Sequence, residues 1–125
     1  MKKLLFTTLF LTSFATGQTL YLSGNNAAAS EARKTFLAKV PKGCEHFSLA
    51  SSATNAEYVM EIALDANGAA NGTLSKNGNL VWSDSYDSSI YHYADRGKLN
   101  GKLLIDKFCY GVKKGKVSLV TADSH

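Results

Sequence analysis

The fold is decided by the stretch YVMEIAL at residues 58–64. Its apolar side chains recur at every second position, and such alternation is typical of a β-strand with one buried face. The residues predicted to lie on the core are Tyr58, Met60, Ile62 and Leu64. Signals on both sides of this stretch extend the strand into a sheet.

A tight hairpin is predicted after this strand, at Asn77-Gly78. Both positions of such a two-residue turn require positive φ, which Asn and Gly adopt more readily than other residues. In the strand after the turn, Leu80 and Trp82 are expected to point inward. The residues expected on its outer face are Val81, Ser83 and Ser85.

Further signals complete the sheet. Residues 65–72 contain two more Asn-Gly pairs and form a turn region, so a three-stranded meander is predicted over residues 58–86. Two shorter alternating stretches, Leu20–Leu22 and Phe47–Leu49, predict strands that precede the meander.

The first predicted helix runs from Asn26 to Val40. Asn is a good N-cap residue, and Pro41 and Gly43 end the helix because proline disfavours helical backbone in the residue before it. The apolar stripe expected to face the sheet consists of Ala29, Ala32, Phe36, Leu37 and Val40.

The second predicted helix runs from Tyr91 to Lys114. Its apolar stripe includes Gly97 and Gly101, which lower helix propensity and therefore suggest a close approach to the sheet or to the first helix. The tail at residues 117–120 is a candidate edge strand. The stripe consists of Ala94, Gly97, Gly101, Leu104, Ile105, Phe108 and Val112.

These elements predict an α+β fold. Each strand has one apolar face and each helix one apolar stripe, so the simplest burial is a two-layer sandwich. We expect the order β-α-β-β-β-α, a mainly antiparallel sheet and both helices on one of its faces. The other face would carry Glu61, Ser83 and Ser85 toward water or a partner.

The N-terminal residues predict export. Met1-Lys2-Lys3 is followed by an apolar run at residues 4–14 and by the small residues Ala15 and Gly17. This pattern is typical of a secretory signal peptide and is too short for a membrane span. Cleavage after Ala15 or Gly17 fits, and we favour Gly17. We therefore expect a signal peptide at 1–17 and one small domain at 18–125, exported to the bacterial periplasm or beyond.

Charge argues against nucleic acid as a partner. The chain has 14 Lys and Arg and 10 Asp and Glu, but two of the lysines lie in the predicted signal peptide. The exported chain would therefore carry a net charge of only +2, which does not indicate a nucleic-acid-binding protein. The cluster Lys113-Lys114-Gly115-Lys116 fits a helix C-terminus, where cations oppose the helix dipole; a phosphate-binding patch is the alternative.

Cys44 and Cys109 are the only cysteines. In an exported chain an even number of cysteines predicts a disulfide. The alternative is a zinc site in which His46 and His92 join the two cysteines, although this spacing matches no familiar zinc module. We expect a disulfide, no metal and no cofactor.

Two groups of residues are candidates for binding. Aromatic rings near the start of the second helix suit a sugar or an extended peptide, unless they close the end of the core. On the back of the same helix, Leu99 and Leu103 lie four residues apart and form a candidate protein contact, with a homodimer among the options. The aromatic group consists of Trp82, Tyr86, Tyr91, His92 and Tyr93.

The function expected from these features is binding without catalysis. We expect an exported binding or structural module of the bacterial cell envelope whose partner is an envelope protein or a glycan. One alternative is a small secreted hydrolase in which His92 works with a carboxylate of Asp84, Asp87 or Asp95. Another is an inhibitor of a secreted enzyme. The sequence contains no serine-nucleophile elbow and no phosphate-binding glycine loop.

Overall fold

A computed structural model describes residues 18–88, 96–117 and 119. The predicted signal peptide lies outside these residues, as do Tyr91, His92, Tyr93 and Ala94. A short 3₁₀ turn spans Ala53–Asn55. The strands and helices are β1 (Gln18–Ser23), α1 (Ala27–Ala38), β2 (Phe47–Leu49), β3 (Tyr58–Leu64), β4 (Ala70–Lys76), β5 (Asn79–Tyr86) and α2 (Arg96–Lys113).

The five strands form one mixed sheet in the order β2-β1-β3-β4-β5. β1 runs parallel to both β2 and β3, whereas β3, β4 and β5 form the predicted antiparallel meander. Most paired residues are therefore antiparallel, and the α+β class is confirmed. The two short strands and the three strands of the meander are all present, so the written order β-α-β-β-β-α counts one strand of the meander too few. The predicted turn region at 65–72 was too long, because Asn71 and Gly72 belong to β4 and pair with β3.

The core lies between the sheet and the helices. Leu22, Met60, Leu74 and Trp82 pair in register across four strands and so share one face of the sheet. The first three are fully buried and Trp82 is half-buried. Each helix contacts the sheet and the other helix, which is compatible with the predicted two-layer arrangement.

Helix α1 begins as predicted but ends earlier. The side chain of Asn26 accepts a hydrogen bond from the Ala29 backbone N–H at 2.9 Å, which satisfies an otherwise unpaired helix donor. The buried face contains Ala28, Ala29, Ala32 and Phe36. Leu37 is 74% exposed and Val40 lies beyond the helix end, so placing these two residues in the buried stripe was wrong. Leu37 follows Phe36 by one residue and is thereby rotated about 100° away from the core.

The glycines of α2 allow the predicted close approach. A side chain at Gly101 would collide with the Ala28 carbonyl oxygen and would lie 2.6 Å from its Cα, so the two helix backbones touch there. A side chain at Gly97 would lie 2.8 Å from Leu64 on β3. Lys113, in the last turn of α2, lies beside Gly43, which follows α1. The two helices therefore run in the same direction, and their C-terminal ends lie together.

A β-bulge changes the predicted faces of β5. Leu74 pairs with Trp82, but the next residue of β4, Ser75, pairs with Leu80, so Val81 is an extra residue. The alternation is shifted at this point. Leu80 is 63% exposed on the outer face and Val81 packs against the core, which is the reverse of the prediction for both residues.

The two described residues of the tail do not form the predicted edge strand. Val117 packs beside Gly111 of α2. The backbone carbonyl of Leu119 accepts a hydrogen bond from the Tyr58 hydroxyl at 2.9 Å. Both side chains are half-buried against the core, so this part of the tail closes the core without joining the sheet.

Candidate functional site

The described aromatic residues of the first candidate group pack against the core. The Trp82 ring centre lies 4.9 Å from that of Phe108, and the Trp82 ring covers Gly72 of the neighbouring strand. Tyr86 is also half-buried, and the Lys107 ammonium lies 5.9 Å from its ring centre. Tyr91, His92 and Tyr93 lie outside the described residues, so the complete aromatic group stays a prediction.

The carboxylates considered for a hydrolase lie in ion pairs where the structure describes them. Asp84 pairs with Lys107 at 3.1 Å, and Asp87 pairs with Arg96 at 2.6 Å. The third candidate, Asp95, and His92 lie outside the described residues. Asp84 and Asp87 therefore each already have a cationic partner within the fold.

The outer sheet face and the back of α2 agree with the predicted exposure only in part. Glu61, Ser83 and Ser85 are exposed on the open face of the sheet, as expected. Leu99 and Leu103 are half-buried on α2, so each retains part of its surface for a contact. Their role as a protein contact stays a prediction.

Cys44 and Cys109 form the predicted disulfide, with their Cα atoms 5.2 Å apart. Both residues are fully buried, and the bond joins the loop that follows α1 to the last turns of α2. Because both sulfur atoms are bonded to each other, they are not available as the zinc-binding thiolates of the alternative site. In the described part of the chain, no group of three or more His, Cys, Asp or Glu side chains is placed to hold a metal ion.

A groove of about 450 Å³ lies between α1 and the middle of α2. One wall is formed by Glu31, Lys34, Thr35 and Ala38, which share one face of α1 at helical spacing. Lys102 and Asp106 of α2 form the facing wall. Residues 39–42 close the end of the groove, and no strand residue contributes to its lining.

The local sequence explains why this groove is open. Helix α1 ends at Ala38, where the Lys39 backbone N–H donates to the Thr35 carbonyl at 3.1 Å. The chain then turns through Pro41 to Gly43, whose φ of 103° lies in the region that favours glycine. A side chain at Gly43 would collide with the Cys109 carbonyl oxygen. The chain after α1 is therefore held tightly against α2 by Gly43 and the disulfide, and residues 39–42 project around the groove.

A second hollow of about 340 Å³ continues from the first around the end of α2. Lys42 lines both hollows, and His46 and Lys113 line the second one. Backbone N–H groups of Glu45 and Gly43 lower the pKa of the Glu45 carboxyl, so this side chain is ionised at neutral pH. The two hollows form one continuous surface with lysines around both.

Exposed apolar side chains flank the groove. Leu37 follows the groove residue Lys34 by three positions, and Tyr110 follows Asp106 by four, so each is a surface neighbour of a lining residue. Leu37 is 74% exposed and Tyr110 is 54% exposed, while Val40 lines the groove itself. The Lys114 ammonium lies 5.5 Å from the Tyr110 ring centre.

We call this surface the helix-end face. It comprises the two hollows with the lysines that line them, their flanking apolar residues, and two further lysines just beyond the end of α2. All of these lysines are exposed. The apolar residues are Leu37, Val40 and Tyr110, the lysines are Lys34, Lys39, Lys42, Lys102, Lys113, Lys114 and Lys116, and the carboxylates are Glu31, Glu45 and Asp106.

The helix-end face holds the net charge of the described residues. Its seven lysines and three carboxylates give a net charge of +4. The other described residues contribute five cations and five carboxylates, which cancel. On the helix-end face, only Lys102 has a described carboxylate within ion-pair distance, namely Asp106 at 3.0 Å. The face therefore presents a positive surface around an apolar groove.

Sequence reasoning found one part of this face and missed the rest. The cluster at 113–116 was visible as a basic run, and its position at the C-terminal end of α2 agrees with the helix-end interpretation. Lys34, Lys39 and Lys42 carried no such signal, because they are spread through a different segment of the chain. Only the parallel packing of the helices brings the two sets of lysines together.

Comparisons of the chain with family models, curated proteins and solved structures find no match, so the functional argument depends on the molecule itself. Among the described helices, none has the length and apolar character needed to cross a membrane.

Proposed function

We propose that this protein is an exported, non-enzymatic binding module of the bacterial cell envelope, and that the helix-end face binds an anionic envelope component. The observation that carries this proposal is the concentration of charge on that face. Four of its seven exposed lysines line the groove, and the other three lie at or just beyond the C-terminal end of α2. Positive potential of this kind attracts anionic partners and raises their local concentration.

The scaffold supports a binding role. Ligand sites are commonly apolar concave surfaces with a few placed polar or charged groups, and this groove has that composition. Compensation of the helix dipoles accounts for Lys39 at the C-cap of α1 and for Lys113 in the last turn of α2. It does not account for Lys34 and Lys102, which lie before the last turns and line the groove.

Export is supported by the disulfide together with the N-terminal sequence. Disulfides persist in oxidising compartments such as the periplasm and are rare in the cytosol. We expect the exported form to begin at Gln18. N-terminal sequencing of the protein recovered from the periplasmic fraction of a bacterial host checks this, and recovery of an uncleaved chain from the cytosol would contradict it.

Binding by the helix-end face is tested with isolated bacterial envelopes and the protein that begins at Gln18. The protein should sediment with the envelopes, and Lys42→Glu should reduce the bound fraction about fivefold or more. Ser83→Glu is the control, because Ser83 is exposed on the outer face of the sheet, away from the helices, and the change also introduces a carboxylate. Equal binding by the two variants would remove the helix-end face as the binding surface.

Self-association through the back of α2 is a separate proposal. Sedimentation velocity of the wild-type protein and of Leu99→Lys/Leu103→Lys tests it. A dimer that the double variant converts to a folded monomer supports the contact. A monomeric wild-type protein excludes the homodimer.

A further inference from the structure

We propose that the partner of the helix-end face is the surface of an anionic phospholipid bilayer. Its lysines would contact lipid phosphates, while Leu37, Val40 and Tyr110 would enter the interfacial layer. This inference rests on the proposed function and specifies the anionic component. It concerns attachment to one leaflet and requires no membrane-spanning helix.

The distribution of exposed apolar side chains is the first argument. Four large apolar residues are exposed in the described part of the chain, and three of them lie on the helix-end face. The fourth, Leu80, lies on the outer face of the sheet. Exposed apolar residues that cluster within a charged surface mark contact sites for proteins or membranes.

The combination of side chains is the second argument. Surfaces that lie in a membrane interface combine lysines with aliphatic and aromatic residues. Here Leu37 neighbours Lys34, and the Lys114 ammonium lies 5.5 Å from the Tyr110 ring centre. Tyrosine suits this layer because its ring is apolar and its hydroxyl remains in contact with water. A purely charged polymer would use the lysines but would leave these apolar side chains exposed.

The charge pattern is the third argument. An anionic lipid surface attracts nearby lysines, and the attraction falls off over a Debye length of roughly 10 Å at moderate salt. Among the described residues, the net charge of +4 is confined to the helix-end face, which favours an orientation with this face toward such a surface. The described residues outside the face are neutral on balance and do not oppose that approach.

The test is co-sedimentation of the protein that begins at Gln18 with vesicles of two compositions. One contains phosphatidylcholine with a quarter phosphatidylglycerol, and the other contains phosphatidylcholine alone. We expect binding only to the anionic vesicles, with a loss of at least about tenfold when the salt is raised to roughly 0.5 M, because salt screens exposed charges.

Matched variants separate the two kinds of contact. Lys42→Glu and Leu37→Ser should each weaken vesicle binding about fivefold or more. Ser83→Glu and Leu80→Ser are the controls, since both residues are exposed on the outer face of the sheet, and they should leave binding unchanged. Thermal melts of all four variants should match the wild-type melt, because substitutions at exposed positions rarely change stability.

The outcomes distinguish this inference from the proposed function. Envelope binding that Lys42→Glu weakens, combined with no binding to anionic vesicles, would overturn the bilayer proposal and leave the proposed function standing. Binding to the soluble polymer dextran sulfate in that case would indicate a polyanionic glycan. Loss of envelope binding after protease treatment of the envelopes would indicate a protein partner and would also overturn it. No binding to envelopes, vesicles or polymer would overturn both.

Discussion

The two ends of the helical layer use their polar residues differently. At the N-terminal end, Asn26 caps α1 and donates to the Ile62 carbonyl at 2.8 Å. Nearby, Asn100 donates to the Gly68 carbonyl at 2.6 Å and accepts from the Ser88 N–H at 2.7 Å. At the C-terminal end, six of the seven lysines have no described carboxylate within ion-pair distance. One end uses its polar groups to hold the fold, and the other presents them to solvent.

This difference follows from burial. A buried polar group costs free energy unless it is hydrogen-bonded, so Asn100, which is fully buried, has a partner for each side of its amide. An exposed lysine remains hydrated and needs no partner within the protein. Unpaired charge is therefore tolerated at the C-terminal end, where the disulfide and Gly43 hold the backbone in place. Binding can use that charge with little effect on the stability of the fold.

The largest expected effect comes from the bond that holds the C-terminal end. Cys44→Ala/Cys109→Ala removes a cross-link between residues 65 positions apart, which should lower the free energy of unfolding by about 4 kcal/mol in the chain-entropy model. Urea unfolding of the oxidised wild type and the double variant measures this. A reducing agent should destabilise only the wild type. Two free thiols in the unreduced, denatured wild type would contradict the disulfide.

A somewhat smaller loss of stability is expected at Trp82, which packs against the core between the sheet and the helices. Trp82→Ala would remove a ring that packs on Phe108 and Gly72 and should cost about 3 kcal/mol. Trp82→Phe is the control that retains a ring at this position. Urea unfolding measures both variants. A loss below about 1 kcal/mol for Trp82→Ala would mean that the ring serves a binding surface and not the core.

The paired polar groups of the N-terminal end are tested at Asn100. Asn100→Ala would leave the Ser88 N–H and the Gly68 carbonyl without their side-chain partner, and we expect a cost of about 2 kcal/mol in urea unfolding. Asn79→Ala, at an exposed position, is the matched control and should change stability far less. Similar losses for both variants would remove the proposed difference between the two ends.

The smallest expected effect is a pH dependence at the 65–69 turn. Backbone N–H groups of Ala69 and Asn67 donate to Asp65 and lower the pKa of its carboxyl in the folded protein. The pKa of Asp65 in the folded protein is therefore lower than its value of about 3.9 in the unfolded chain. The ionised carboxylate stabilises the fold fully at pH values above the unfolded pKa, and this stabilisation is lost as the pH falls through the folded pKa. Asp65→Asn should therefore be less stable than wild type at pH 6, and the gap should close toward pH 2. Thermal melts across this range measure the gap, and a constant gap would contradict the assignment.

The sequence by itself determined the local elements. Three signals each act within a few residues, so their effects could be inferred without the rest of the chain. They are the alternation at 58–64, the Asn77-Gly78 turn and the Asn26 cap. The disulfide followed from the presence of only two cysteines in a chain whose N-terminal sequence predicts export. The close approach at Gly101 was also visible, because a glycine in an apolar helix stripe needs a packing reason.

The tertiary structure alone decided the faces and the candidate site. A bulge at Val81 reversed the expected positions of Leu80 and Val81, and bulges depend on how two strands pair. Leu37 became exposed because the rotation of α1 on the sheet is set by close packing around Phe36. Lys39 and Lys113 are far apart in sequence. They share one face only because the two helices run parallel and the disulfide holds the loop after α1 against the last turns of α2. Local patterns carry no information on such long-range packing, and for that reason the helix-end face could not be read from the sequence.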